Sequence, residues 1–423
     1  MMARFTIQKA YTYFNKVFGL DAMLRQLDDR REWYLYNMHE VSTLLLAMFL
    51  LQYPSLHSFL SKREGQQKRL RNLMGRARSR KVPTVDVLIG VAAALSVDSI
   101  KEIMFEVWRK LKRNKVFERN KIDGRKVVAI DGIETTSSYK KHCEKCLSRT
   151  HSNGKTEYFH RHVCVLYLGE NAHFFLNSTM LLPRDGSAKQ EGELTGGKRL
   201  IEETARLLPG FADIIVADAL YFNAPFLNLI RENGMHAVIR MEDETRKPYK
   251  EAQQILRNGH YHRRTFKATN SAGHPIEVTV NDLGRIAMAG YCEETVHVYQ
   301  FIEHDLLDSN AEDSAFFVCC TSDEVPAVTV WRIAHARWGI ENNGFHQLSV
   351  AYHAKHLYCH EAVEQLFVLM LLAFNLRECY LFCLRGRDFP KCGLTRNDIT
   401  EEFRDSILLE VLRIPICGRC IPS

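Results

Sequence analysis

The chain has 423 residues, 46% of them hydrophobic and 25% charged, with a formal charge of +7. That balance excludes a disordered or fibrous protein and leaves room for two or three domains. Twelve cysteines without a secretory leader favour reduced thiols or a metal site over a disulfide framework, and the longest early apolar run, 44–51, is too short to cross a bilayer.

Residues 1–120 read as a helical region. Apolar positions recur at helical spacing over 41–51 and again at Leu56, Phe59 and Leu60. The stretch 62–81 then carries Lys62, Arg63, Lys68, Arg69, Arg71, Arg76, Arg78, Arg80 and Lys81 against the single acid Glu64. A charge run is commonly a solvated helix face, but this imbalance favours contact with a phosphate backbone. Gly75 and Pro83 place its later part in a loop. Thr84 is the expected N-cap of the next helix, and Asp98 or Ser99 that of the one after, with Ile100, Ile103, Met104, Val107 and Leu111 as its apolar stripe. A second basic cluster, Arg109 to Lys115 followed by Arg119, Lys121, Arg125 and Lys126, partly complements that helix's C-terminus. Two basic clusters flanking a small helical unit suit a region that grips DNA.

From Val127 the pattern becomes α/β. Val127-Val128-Ala129-Ile130 run into Asp131-Gly132, which reads as a buried strand ending in a carboxylate, with the glycine allowing a turn. Alone, this is an ordinary strand-end turn. Strands over 161–169 and 173–179 make an antiparallel meander, and a helix from about Glu191 ends at Pro209-Gly210. Ile214-Ile215-Val216-Ala217 then lead into Asp218, followed by a helix from Ala224-Pro225 to Asn233-Gly234. Residues 235–323 read as a β-rich insertion with strands at 276–280, 296–301 and 316–320 and a short helix near 249–256. Its patch 260–267 (His-Tyr-His-Arg-Arg-Thr-Phe-Lys) suits a nucleic-acid strand or an edge strand protected by charge. After Pro326 a long helix carries Arg337 and Glu341 four apart on one face. Gly339 and Gly344 weaken that helix, which is tolerated where a backbone or ligand must come close. An apolar helix over 362–380 packs on the sheet, and 386–423 form an appendage with Cys392, Cys417 and Cys420.

Asp131, Asp218 and Glu341 thus lie on two strand ends and a helix, 87 and then 123 residues apart. With Ala129-Ile130-Asp131-Gly132, Ile215-Val216-Ala217-Asp218-Ala219-Leu220-Tyr221 and Arg337-Trp338-Gly339-Ile340-Glu341-Asn342-Asn343-Gly344-Phe345, the chain resembles the DDE transposases of bacterial insertion sequences. The likeness is to the subgroup with a β-rich insertion before the glutamate, and it covers roughly 84–376. It implies an α/β fold, an RNase H-like mixed sheet flanked by helices. The expected division is a helical DNA-binding region over 1–120, a catalytic core over 121–234 and 324–385, the insertion over 235–323, and the appendage.

The resemblance implies cutting at insertion-sequence ends and strand transfer into target DNA, in the cytoplasm of a bacterium at the nucleoid. Alternatives are a structure-specific nuclease on the same fold, or an inactive or domesticated relative that only binds DNA. Phosphodiester displacement is well served by two divalent ions, and Mg²⁺ (or Mn²⁺) prefers carboxylate oxygens. Asp131 would bridge both ions, Asp218 and Glu341 would hold one each, and Arg337 would touch a phosphate oxygen. Glu134 and Glu193 are spare carboxylates with surface or supporting roles. The partner is double-stranded DNA, both terminal inverted repeats and target, and holding two ends together calls for a homodimer on DNA. Within the subgroup a tyrosine precedes the glutamate by seven residues and a lysine follows it by seven, both meeting the phosphate beside the cut. Ala334 and Leu348 stand there in this chain, with His335 and Lys355 as nearby substitutes.

One feature lies outside this scheme. Cys143-x-x-Cys146 follows the first strand, with His151, His160 and His162 downstream, and Cys417-x-x-Cys420 ends the chain. A zinc site from one CxxC plus histidines competes with plain thiols.

Overall fold

The computed structural model describes residues 5–28, 31, 35–73, 81–184, 186, 189–270, 272–288, 295–307, 312–356, 358–384, 386, 389–391 and 393–409. Arg76, Arg78, Arg80, Cys392, Cys417, Cys420 and the expected loop around Gly75 lie outside them.

The N-terminal third is helical, through α1 (Ile7–Phe18), α2 (Leu20–Arg25), α3 (Met38–Leu50), α4 (Leu56–Phe59), α5 (Glu64–Leu73), α6 (Val85–Ala94), α7 (Val97–Arg113) and α8 (Val116–Arg119). Local signals explain the starts. Asn37 and Glu40 form a reciprocal capping box on α3, and Thr84 accepts the Val87 N–H to cap α6. The cap of α7 is Ser96, not Asp98 or Ser99. Ser96 has the extended backbone a cap requires and its hydroxyl accepts the Ser99 N–H, so the helix begins two residues earlier. The expected apolar stripe of α7 is buried throughout.

Among the described residues ten strands form one mixed sheet: β1 (Val127–Ser138), β2 (Leu147–Thr150), β3 (Thr156–Leu168), β4 (His173–Met180), β5 (Ile214–Ala217), β6 (His236–Met241), β7 (His262–Thr269), β8 (Pro275–Ala287), β9 (Thr295–Asp305) and β10 (Ser314–Cys320). Their order is β2-β3-β1-β5-β6-β10-β9-β8-β7, with β4 also on β3. β1, β3 and β4 are the expected antiparallel meander, while β5 and β6 add in parallel on the other side of β1. This arrangement fits an RNase H-like core. Helices α9 (Glu193–Leu207) and α10 (Ala224–Glu232) connect β4 to β5 and β5 to β6.

The boundary expected at 235 falls just before β6, which pairs in parallel with β5; β10, β9, β8 and β7 then continue the same sheet antiparallel. The basic-aromatic patch forms the outermost strand, β7, whose side chains are mostly exposed. Charged edges of this kind discourage pairing with another chain. Between β6 and β7 lies α11 (Lys247–Asn258).

Past β10 come α12 (Ala327–Ala336), α13 (His346–Val350), α14 (Val363–Glu378) and α15 (Arg396–Leu409). The helix from Val363 to Leu384 is long and apolar enough to cross a membrane, yet 89% of its most apolar window is buried inside this molecule. It lies between β4 and helices α3 and α7, joining the sheet to the helical region. α15 lies against α1 and α5 with Ile399, Phe403 and Ile407 in the core, so this part of the appendage completes the N-terminal helical layer.

Candidate active site

The buried run Val127 to Ile130 continues well beyond Asp131. β1 extends to Ser138, and Asp131 pairs with Cys164 of β3 in the middle of a ladder. The reading of Asp131-Gly132 as a strand end and turn is therefore wrong. What ends there is the neighbour, since β5 stops at Ala217. Asp131 is left on the side of β1 that has lost its parallel partner. Gly132 has another use: a Cβ there would overlap the Glu193 carboxylate, so the glycine makes room for that acid.

The second aspartate is placed by register. Ala129 pairs with Val216 at the end of the ladder, and two residues beyond that pair lie Asp131, still on β1, and Asp218, just past the end of β5. Asp218 then caps a short 3₁₀ turn, Ala219–Tyr221, by accepting the Leu220 N–H at 3.0 Å.

Glu341 arrives on the helix after Pro326. α12 and α13 are joined by a π-helical turn, Ile340–Phe345, whose second residue is Glu341. Such turns widen a helix locally and often mark functional positions. Here they coincide with two glycines at the sheet. A Cβ on Gly339 would stand 3.0 Å from Leu168, and one on Gly344 would stand 3.1 Å from Leu166 and 3.2 Å from Phe175. The glycines let the helix lie directly on β3 and β4, as their presence in the sequence implied.

Arg337 connects the parts. Its Nη1 donates to Glu341 Oε1 at 2.7 Å and lies 3.8 Å from Asp131 Oδ2. Its guanidinium also lies over the Trp338 ring at 4.8 Å, which braces it. The i,i+4 pair is thus also a contact across the site. Asp218 is close enough for the charges of Arg337 and Glu341 to act on it, and it acts in turn on Asp131.

Negative charge outweighs positive here. Burial, reinforced by Glu193 and Asp218, pushes Asp131 up to about 7; the Gly132 N–H, donated at 2.7 Å, and Arg337 pull the other way. Asp218 and Glu193 are also raised, by burial first. Like charges held together away from water favour protonation, or a cation between them. The donors are hard carboxylate oxygens, which suits a divalent ion of the Mg²⁺ type. Asp131, Asp218 and Glu341 therefore fit such an ion chemically.

Glu193 sits closer to this cluster than a spare surface carboxylate would. In the first turn of α9, it faces Gly132, accepts from the Tyr221 hydroxyl at 3.3 Å and lies 3.6 Å from Arg161. Nothing local in the sequence points to it, because it is brought in by the packing of α9 on β3. Glu134 is turned away, paired with Arg149 at 2.9 Å.

Of the nearby substitutes for the subgroup's cation and tyrosine, His335 is engaged by a carboxylate of β9. His335 Nε2 is 2.6 Å from Glu303, and Lys355 is exposed. Leu348 is buried in the core, and Ala334 packs against that core. Among the basic residues of 62–81, Lys62, Arg71 and Lys81 line one open cleft with His57 and Thr84, while Arg63 and Lys68 are exposed. Arg69 is used internally: it donates to the Arg404 carbonyl at 3.1 Å and pairs with Asp405 at 3.2 Å. Cys143 and Cys146 are half-buried, and their sulfurs are 3.6 Å apart.

A family model described as transposase DDE domain matches residues 123–376, more than half of the chain. No curated protein matches it.

Proposed function

The chain belongs to the DDE transposase family, and on that premise we propose that it cuts DNA at the ends of its own element and transfers those ends into target DNA. Transposition, a form of DNA recombination, is the general function of the family, which acts on DNA and generally uses divalent metal ions. The finer assignments rest on one observation. Asp131 and Asp218 follow the last pair of the β1–β5 ladder closely enough for their charges to interact, and Arg337 ties Asp131 to Glu341 of the packed helix.

In this reading Asp131, Asp218 and Glu341 hold two Mg²⁺ or Mn²⁺ ions. When bound, these supply positive charge to the attacking and leaving oxygens of an in-line displacement at phosphorus. The protein's part is positional. The pairing of β1 with β5 brings two carboxylates into one place before any ligand arrives, so the electrostatic cost of gathering them is met by folding. Glu341 is presented from a helix held against β3 and β4 by two glycine contacts. Arg337 is braced on Trp338 and can hold a phosphate oxygen in place of its contact with Asp131. Glu193 supports the cluster from behind, with Tyr221 fixing its orientation. The cleft of Lys62, Arg71 and Lys81 would hold a stretch of the DNA backbone, and two copies of the chain would hold two ends.

The burial of Leu348, where the subgroup carries a lysine, favours a second reading, a relative that binds DNA without cutting it. One experiment separates the two. The full chain is given a duplex carrying the inverted repeats that flank its reading frame, with and without Mg²⁺. Cleavage at the repeat boundary that requires Mg²⁺ and is lost in Asp131→Asn supports the transposase site. Specific binding with no cleavage in either protein supports the binder, and cleavage by Asp131→Asn equal to wild type removes the carboxylates from the chemistry.

A further inference from the structure

Four soft donor side chains meet at a second place on the same β1–β3 ribbon, and the carboxylate chemistry does not use them. Cys143 and Cys146 come from the connection between β1 and β2, His160 from β3, and His360 from the segment between α13 and α14. One ligand atom from each lies within 4.8 Å of all the others. We propose that these four side chains bind one Zn²⁺ ion in a tetrahedral, structural site.

The spacing carries the argument. With Zn–S near 2.3 Å and Zn–N near 2.0–2.1 Å, a tetrahedron has edges of about 3.8 Å between sulfurs and about 3.6 Å between sulfur and nitrogen. The two sulfurs are 3.6 Å apart, and His160 Nε2 is 3.5 Å from Cys143 Sγ and 3.3 Å from Cys146 Sγ. A disulfide would need the sulfurs at about 2.05 Å, and it would leave both histidines unexplained.

Unmet polar atoms point the same way. Both ring nitrogens of His360 and Nδ1 of His160 are shielded from solvent without a hydrogen-bond partner among the described residues. Buried nitrogens in that state cost free energy unless something binds them. A metal bond to one nitrogen of His360 removes part of that cost. The turn is also shaped for thiolates, since the Cys146 N–H donates to the Cys143 carbonyl at 3.1 Å and the Cys143 N–H donates to Cys146 Sγ at 3.3 Å. Two sulfurs and two imidazoles form a donor set that selects zinc over Mg²⁺. Binding replaces two thiol protons, which leave to solvent, by one Zn²⁺, so the buried centre carries no net charge.

The location says what the ion does. Asp131 pairs with Cys164 and Thr136 with His160, so the zinc stands about 16 Å further along the ribbon that carries the first aspartate. His360 belongs to the chain that leaves the Arg337–Glu341 helix and enters α14. The ion therefore clips the exit of that helix to the ribbon, closing a loop of some 200 residues between His160 and His360. Long closures of this kind remove much chain entropy from the unfolded state.

The test uses the full chain, purified without chelator or polyhistidine tag and measured by elemental analysis. About one zinc per chain is expected for the wild type, and one again for Asp131→Asn, which separates this site from the carboxylates. His360→Ala and Cys143→Ser should each lower the content and the melting temperature. Replacement by Co²⁺ should give the strong visible bands of tetrahedral cobalt together with a thiolate charge-transfer band. Should Cys143→Ser fail to fold, the cobalt spectrum of the wild type and of His360→Ala still decides. Wild-type protein with under about a tenth of a zinc per chain, no thiolate–cobalt band and a melting temperature indifferent to chelator would overturn the proposal.

Discussion

Around Asp131 acids crowd together with too little positive charge: Asp131, Asp218 and Glu193 are all raised above their ordinary values, first by burial. Where α14 meets α15, charges just as deep are spread over hydrogen bonds, an ion pair and ring contacts. Glu378 is paired with Arg396, while the Arg377 guanidinium donates to the Leu50 carbonyl at 2.8 Å and to Thr400 Oγ1 at 2.9 Å and lies over Phe403. The second cluster ties the helical region to α14 and α15. The first is a charge arrangement that folding alone would not favour, and strain of that kind gathers where a ligand is to be bound. Buried charge shared out over neighbouring groups holds helices together, whereas acids crowded on acids mark a candidate ligand site.

The largest effect should come from Asp131→Asn. Cleavage of an end duplex should fall by more than the roughly 10–100-fold that losing an outer partner of a metal ligand costs. The same variant should melt higher than wild type in chelator at pH 8, because a buried repulsion is gone. A parallel loss of stability and cleavage would mean that Asp131 is structural, like Glu378.

Arg396→Met should do the reverse. It strands Glu378, only 1% exposed at its side chain, and should cost roughly 3 kcal/mol in urea unfolding. Cleavage per folded molecule should be unchanged. If cleavage drops at full folding, the two clusters are not independent.

Glu193→Gln comes next, with cleavage reduced by about 10–100-fold if Glu193 supports the metal-holding acids. Its folding should be intact, and ionisation of Asp131, followed by carboxyl-labelled NMR, should move to lower pH. An unmoved Asp131 would break the electrostatic link between them.

The last effect is a pH dependence. Asp131 ionises at about 7 in the folded chain, against a usual value of 3.8. The folded state therefore holds its proton longer than the unfolded state does. Its contribution is neutral below the unfolded value, subtracts stability as pH rises towards 7, and is constant above that. Melting temperature without divalent ions should decline across this window, and saturating Mg²⁺ should reverse the decline. Asp131→Asn should flatten it.

Much of the framework could be read from residue pattern. The apolar runs at 127–130 and 214–217, the meander, the start of α6 at Thr84 and the helix holding Arg337 and Glu341 follow from periodicity and capping, which are local. The misreadings were also local in origin. Asp-Gly looks like a turn, yet Gly132 lies within a strand, because the requirement it meets comes from Glu193, some sixty residues away. Asp98 and Ser99 looked like caps, but Ser96 was in reach of the right N–H.

By itself the sequence determined the strands, the helices and which residue types were available for phosphate chemistry, since these depend on neighbours a few positions apart. Only the tertiary structure decided that Asp131 and Asp218 come together, that Glu193 joins them and that His360 meets the Cys143–Cys146 turn. Each of those follows from sheet register or helix packing between segments tens to hundreds of residues apart, and such contacts leave no periodic trace in the chain.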